Sequence, residues 1–290
     1  MKILVTGGNG YIGAHTIKQL AKRGHQIISI DENISQNNVS SYAVEYEHDL
    51  VKPWDGQEIN VDAVVHLAAY ISVEESTKDP LKYYGNNLLS TTNLLLDKHI
   101  KFDHFLFAST GAAFDPKCPY ATSKVACEDL VKQLADDKYT IFRFFNVSGL
   151  DPEFSPTGTP THLIRRAAMA AAGKLEKMTI FGDDFETRDG TCVRDYVHVV
   201  DLANAICNAI EHGPVLSPYE CIGSGTGYTV KEIVSAMEKA SGKTVNIDMG
   251  PRRAGDAPSL LTPEVSRFMK PMHDIYDMCR SAYDRELNAS

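Results

Sequence analysis

Tyr120-Ala-Thr-Ser-Lys124 sets a phenol and an ammonium four residues apart, a spacing that brings both to one face of a helix. A tyrosine ordinarily titrates near pH 10, and a neighbouring cation favours its phenolate, so the pair is expected to act as a base near neutral pH. A tyrosine and lysine at this spacing also occur by chance on exposed helices. What favours chemistry is the position, after the apolar strand Phe105–Ser109, whose C-terminal edge should open onto a ligand crevice.

A second constellation lies at the start of the chain. In Thr6-Gly7-Gly8-Asn9-Gly10-Tyr11-Ile12-Gly13, the glycines Gly7, Gly10 and Gly13 fall between a strand and a helix. There a missing Cβ permits a tight turn and close approach of a pyrophosphate, which the helix N-terminus faces. Asp31 ends the next strand, 18 residues after Gly13, where a carboxylate accepts hydrogen bonds from an adenosine ribose and repels a 2′-phosphate. The cofactor is therefore expected to be NAD, with Lys124 also reaching its nicotinamide ribose. Asp49, in His48-Asp49-Leu50, meets either the adenine edge or a plain surface turn.

The elements that must position these groups alternate through the first half of the chain. Strands at Lys2–Thr6, Gln26–Asp31, Ala63–Leu67, Phe105–Ser109 and Thr140–Phe145 are separated by helices at Ile12–Lys22, Leu81–Lys98 and Tyr120–Ala135. This rhythm predicts an α/β fold: a Rossmann-type, doubly wound parallel sheet with a smaller C-terminal α/β substrate domain. Residues 1–147 form the predicted NAD-binding domain and 148–290 the smaller one, divided at a Gly-, Pro-, Thr- and Ser-rich loop over Gly149–Thr161. Beyond it, helices are expected at Leu163–Ala172, Asp201–Glu211, Val230–Ala240 and near His273–Arg285, with strands at Thr179–Phe181, Tyr219–Ile222 and Thr244–Asp248. Arg194–Val199 is strand-like enough to be expected to rejoin the first sheet.

Composition narrows the partners. The chain has 290 residues, 43% apolar and 23% charged, and no apolar run approaches the roughly 20 residues of a membrane helix. A net charge of −9 disfavours a nucleic-acid partner. The six cysteines show no C-x-x-C pairing, so reduced thiols are expected rather than a metal site. The strand at the N-terminus, in place of a leader, predicts a cytoplasmic protein.

The glycine turn and Tyr120/Lys124 resemble the extended short-chain dehydrogenase/reductase family, and more closely its UDP-glucose (UDP-galactose) 4-epimerases. The similarity extends through Pro80-Leu-Lys-Tyr-Tyr-Gly-Asn86-Asn87, Arg143-Phe-Phe-Asn146, Ile180-Phe-Gly, Asp189-Gly-Thr-Cys-Val-Arg194-Asp195-Tyr196-Val-His198-Val and Pro251-Arg-Arg253-Ala-Gly-Asp256. It implies inversion of C4 of a UDP-hexose through a transient 4-keto sugar, with Tyr120 as base, Lys124 as its partner and Thr110 as a hydroxyl bonded to the sugar O4. For NAD it implies contacts from Gly7, Gly10, Tyr11, Ile12, Gly13, Asp31, Asp49, Leu50, Leu67, Ala68, Ala69, Asn86, Ser109 and Phe145 as well. For the substrate it implies Asn146, His162, Leu163, Thr179, Phe181, Arg194, Arg253, Asp256 and Leu260. It further implies a homodimer built from the helices at Leu81–Lys98 and Tyr120–Ala135.

The chain departs from the family pattern at several positions. Thr110 and Tyr120 lie only ten residues apart, bridged by a loop shorter than usual. Ile71 stands where a lysine is common, Phe144 where a tyrosine is, and His162 where an asparagine is expected. Leu260, intermediate in bulk, favours a plain hexose over an N-acetylated one. Two other readings are a different sugar-nucleotide oxidoreduction such as 4,6-dehydration, and a non-catalytic module that binds NAD or a UDP-sugar. Gly111-Ala112 after Thr110 lacks the acid and base that dehydration needs, and binding alone would not require Tyr120, Lys124 and Thr110 together.

Overall fold

A computed structural model describes residues 1–155, 162–215, 217–253 and 256–288. The end of the expected Gly149–Thr161 loop and Ala254-Gly255 of the Pro251–Asp256 motif lie outside the described residues. The chain divides into two compact units, one of Met1–Phe144 and Ala203–Cys221, the other of Phe145–Leu202 and Ile222–Ser290.

In chain order the elements up to Phe144 are β1 (Lys2–Thr6), α1 (Tyr11–Lys22), β2 (Gln26–Asp31), β3 (Val44–Glu47), β4 (Ile59–Asn60), β5 (Ala63–His66), α2 (Val73–Lys78), α3 (Pro80–Leu96), β6 (Ile100–Lys101), β7 (His104–Thr110), a 3-10 turn at Gly111–Phe114, α4 (Pro119–Leu134) and β8 (Tyr139–Phe144). The remainder comprises β9 (Asn146–Ser148), α5 (Leu163–Ala171), β10 (Met178–Phe181), β11 (Val193–His198), α6 (Val199–His212), β12 (Glu220–Ile222), β13 (Gly227–Thr229), α7 (Val230–Ser241), β14 (Ile247–Gly250), β15 (Ser259–Leu260) and α8 (Ile275–Asn288).

The main sheet has seven strands in the order β12-β8-β7-β5-β1-β2-β3. Neighbours from β8 through to β3 run parallel, and their buried strands read as the near-continuous apolar runs that such a sheet demands. Because β2 lies on one side of β1 and β5 on the other, the winding reverses between β1 and β5, the place where open α/β sheets bind ligands. Helix α1 buries Ala14, Ile17 and Leu20 along one stripe, and Gly24, at φ 81°, takes the left-handed conformation that ends it.

Arg194–Val199 does not rejoin this sheet. Its strand, β11, pairs instead with β9, β13 and β15, and the strand that comes in beside β8 is β12, the Tyr219–Ile222 segment. Neither short segment, Arg194-Asp-Tyr-Val-His-Val199 or Tyr219-Glu-Cys-Ile222, carries a pattern that names its partner strand, and pairing with distant partners decides which one enters.

The second unit is built around β11. A separate pair, β10-β14, runs parallel, and α5, α7 and α8 share a core that includes Ile164, Ile180, Tyr196, Met237 and Met278. Helix α7 begins with a reciprocal Thr229/Glu232 capping box and ends at left-handed Gly242.

Candidate active site

The glycine turn follows β1 at the point where the winding reverses. Gly7 has φ 68°, and a Cβ on Gly13 would stand 2.0 Å from the Gly7 carbonyl oxygen, so both positions require glycine. Gly10 is the N-cap of α1 and supplies no side chain to cap it, which leaves that helix end shaped for an anion. Tyr11 and Ile12 open the helix, and burial pushes the Tyr11 phenol up. Leu67, Ala68 and Ala69 follow β5 across the reversal, with the Ala68 amide 3.4 Å from the Thr6 hydroxyl. The cradle fits a dinucleotide pyrophosphate.

Asp31 ends β2, as its distance from the turn predicts. Its carboxylate accepts hydrogen bonds from the amides of Asn9 (3.0 Å) and Asn33 (2.9 Å), while burial raises its pKa. Asn9 was not singled out by the sequence, yet its side chain donates to the carbonyls of Ile34 and Asn37 and to Glu45, fastening the turn to the loop after β2. Asp49 accepts from the Val51 amide at 3.1 Å, as in a surface turn, and burial together with the Asp49 charge raises the pKa of Glu32; Leu50 beside Asp49 is buried.

The catalytic candidates converge despite the short interval. Thr110 ends β7 and Tyr120 lies in the first turn of α4, and the Thr110 hydroxyl comes close enough to the Tyr120 phenol to lower its pKa. The Thr110 hydroxyl also accepts from the Ala112 amide at 3.2 Å, capping the 3-10 turn that lets ten residues make the crossing. Pro119 at the start of α4 presets its first turn. Lys124 is 4% exposed, with Nζ 4.1 Å from the centre of the Phe107 ring. Asn86 is half-buried and bonds to Asn87, which is itself buried and ties Tyr70 and Ser123 together.

One expectation changes. The phenol was to be held ready as a base by Lys124, but burial pushes Tyr120 up to about 12, and the contact that lowers it is the Thr110 hydroxyl. Burial also pulls the Lys124 amine down to about 8. Helix spacing brings the two residues to one face, whereas desolvation, a tertiary effect, works against both charged forms.

The depressed lysine has a consequence for stability. Its amine binds a proton more weakly folded, at about 8, than unfolded, near 10.5, so the penalty is full below pH 8 and fades as pH rises towards 10.5. Removing the amine should recover roughly 3 kcal/mol at pH 7, less about 1 kcal/mol for the lost ring contact. Lys124→Met is therefore expected to raise the unfolding midpoint at pH 7, with the gain shrinking by pH 10. An equal or lower midpoint at pH 7 would contradict this.

In the second unit, β11 gathers several predicted residues. Asn146 pairs in register with Tyr196 and donates to the Asp195 carbonyl at 3.0 Å. Leu260 pairs with Arg194, whose guanidinium meets Asp256 at 3.6 Å and the carbonyls of Val193 and Ala257 at 2.9 Å each. The Arg253 guanidinium lies 3.9 Å from the centre of the Phe181 ring, at the end of β10, which also carries Thr179. Phe145 is buried, its amide bonded to the Ile222 carbonyl. His162 is the N-cap residue of α5 and Leu163 opens it, packed against the core that also holds Tyr196 of β11. Asp195, quoted in the motif but given no role, is fully buried and accepts from Ser224, Gly225 and Thr262. Among the described residues, no group of His, Cys, Asp and Glu could hold a metal ion.

A glycine turn at the winding reversal of a parallel sheet, with a Tyr/Lys/Thr trio on the neighbouring strand and helix, defines a nucleotide-cofactor α/β enzyme. The chain belongs to the NAD dependent epimerase/dehydratase family, whose model matches residues 3–221. It is 36% identical over 295 residues to a UDP-glucose 4-epimerase of Erwinia amylovora, covering 88% of each chain, and 36% identical to one of Bacillus subtilis, covering 88% of this chain and 87% of that one. Among solved structures, it is similar to UDP-glucose 4-epimerase from Bifidobacterium longum in complex with NAD+ and UDP, at TM-score 0.87 and 30% identity, covering 100% of this chain and 99% of that one. A UDP-glucose 4-epimerase from Brucella ovis in complex with NAD also matches at TM-score 0.87, with 33% identity and coverage of 99% and 98%.

Proposed function

We propose that this chain is an NAD-dependent epimerase that inverts C4 of a UDP-hexose, interconverting UDP-glucose and UDP-galactose. The observation that carries this reading is the approach of the Thr110 hydroxyl to the Tyr120 phenol, with Lys124 one helical turn further on, in the same sheet-and-helix unit as a turn shaped for a dinucleotide. Thr110 orients the sugar O4 and Tyr120 takes its proton, returning it in the second half-cycle. Because burial holds the phenol near 12, it becomes a base only when positive charge is placed near it. Lys124, near 8, is still mostly the ammonium at pH 7 and supplies part of that charge. NAD, when bound, would supply the acceptor and donor for the C4 hydride and, in its oxidised ring, further positive charge near the phenol.

Gly7, Gly10, Tyr11, Ile12 and Gly13 would hold the pyrophosphate of NAD and Asp31 its adenosine ribose. Asp49, Leu50, Leu67, Ala68, Ala69, Asn86, Ser109 and Phe145 would line the remainder. Arg194 and Arg253 suit the diphosphate of UDP, since guanidinium groups make paired, charge-assisted bonds to phosphate oxygens. Asn146, His162, Leu163, Thr179, Phe181 and Asp256 would complete the hold on UDP, and Leu260 favours a plain hexose.

We further propose a cytoplasmic homodimer. Free cysteines and the lack, among the described residues, of any helix long and apolar enough to cross a membrane support the location. Exposed Leu81, Leu89 and Leu96 on α3 support the dimer, and a monomeric mass in solution would remove it. Since each cycle restores the cofactor, NAD should remain bound through purification. Mass spectrometry of the denatured protein is expected to release NAD, and a protein that binds none would refute the reading.

A further inference from the structure

The interval between Thr110 and Tyr120 is flanked by an assembly centred on the buried Glu128–Arg143 pair, to which the proposed chemistry gives no role. Glu128, 1% exposed, accepts hydrogen bonds from Ser109 Oγ at 2.5 Å, Arg143 Nε at 2.8 Å and Arg143 Nη2 at 2.7 Å, with Lys132 Nζ 4.0 Å away. The Arg143 guanidinium lies 4.0 Å from the centre of the Tyr219 ring and 4.7 Å from that of Phe114, and these two rings meet edge to face.

Each member is tied to one side of the trio. Ser109 precedes Thr110 and pairs in register with Arg143 on β8. Phe114 closes the 3-10 turn inside the interval. Glu128 follows Tyr120 and Lys124 along the same face of α4, eight and four residues on. A buried, doubly hydrogen-bonded ion pair contributes little net stability, because desolvation consumes its attraction, but it fixes geometry tightly.

We propose that Arg143, Glu128 and Phe114 are positioning residues that set the Thr110 hydroxyl against the Tyr120 phenol. Phe114 would act as the stop that lets the short interval close on the same geometry from strand, turn and helix at once. This rests on Thr110 and Tyr120 serving the reaction as proposed above.

The test compares wild type with Phe114→Ala, Phe114→Tyr and Arg143→Lys in UDP-galactose turnover and in amide hydrogen exchange over residues 110–120. Phe114 is 39% exposed, so its truncation leaves the core intact and decides the matter whether or not Arg143→Lys folds. Phe114→Ala is expected to lower kcat by about 10- to 100-fold, the cost of an ångström-scale misplacement, with KM within about twofold and NAD retained. Phe114→Tyr should restore kcat, and Arg143→Lys should repeat the loss. The Ala112 amide, bonded to Thr110, should exchange at least about tenfold faster in Phe114→Ala. A folded Phe114→Ala with wild-type kcat, or a loss confined to KM, would overturn the proposal. If the wild type itself shows no turnover, the epimerase reading fails, and exchange alone then decides: unchanged protection in Phe114→Ala overturns the positioning role.

Discussion

Tyr120→Phe is expected to cut UDP-galactose turnover by about 10³-fold while leaving NAD content and KM nearly unchanged, the size of effect typical for a lost general base. The substitution removes one oxygen from a ring already seated in the first turn of α4, so neither the helix nor its Pro119 start is disturbed. It deletes the phenol that the Thr110 hydroxyl approaches. Stability should rise slightly if it changes at all, since a desolvated polar group disappears. Steady-state kinetics with retained NAD checks this, and a variant with wild-type kcat would remove Tyr120 from the mechanism.

Gly13→Ala should abolish cofactor retention. The added Cβ would stand 2.0 Å from the Gly7 carbonyl oxygen and 2.7 Å from the Gly8 Cα, both backbone atoms that cannot swing aside. Either α1 shifts away from β1 or the turn opens, and in both cases the approach left for a pyrophosphate is lost. Overpacking of this kind costs about 1–3 kcal/mol, so the chain is expected to fold with a lowered midpoint yet release less than a tenth of the wild-type NAD on denaturation. Full NAD content in a folded Gly13→Ala protein would contradict the role given to the turn.

Much of the first unit was legible because its signals are local. A glycine turn between strand and helix, an aspartate at the next strand end and a tyrosine and lysine one helical turn apart are each written within a few neighbouring residues. Strands β3, β9, β13 and β15, of two to four residues, were not, because so short a stretch carries no alternation to read. The strand beside β8 is β12 rather than β11 for a related reason: neither short segment names in its own sequence the distant strand it pairs with.

The site followed the same division. Thr110 and Tyr120 could be named from the sequence, but their approach across a short interval could not. The burial that raises the phenol's pKa in the absence of cofactor was not legible, because a charged neighbour is visible in a sequence and desolvation is not. Glu128 and Arg143 went unassigned although Glu128 lies four residues past Lys124 on the same helix face. That spacing was an available signal, but its meaning depends on a guanidinium from the next strand.

The measurement that bears most directly on the proposed activity is the conversion of UDP-galactose by the purified chain without added cofactor, followed at the sugar proton resonances. The expected result is steady appearance of UDP-glucose until both sugars reach a fixed ratio, approached equally from either one. A protein that holds NAD and leaves UDP-galactose unchanged would contradict it.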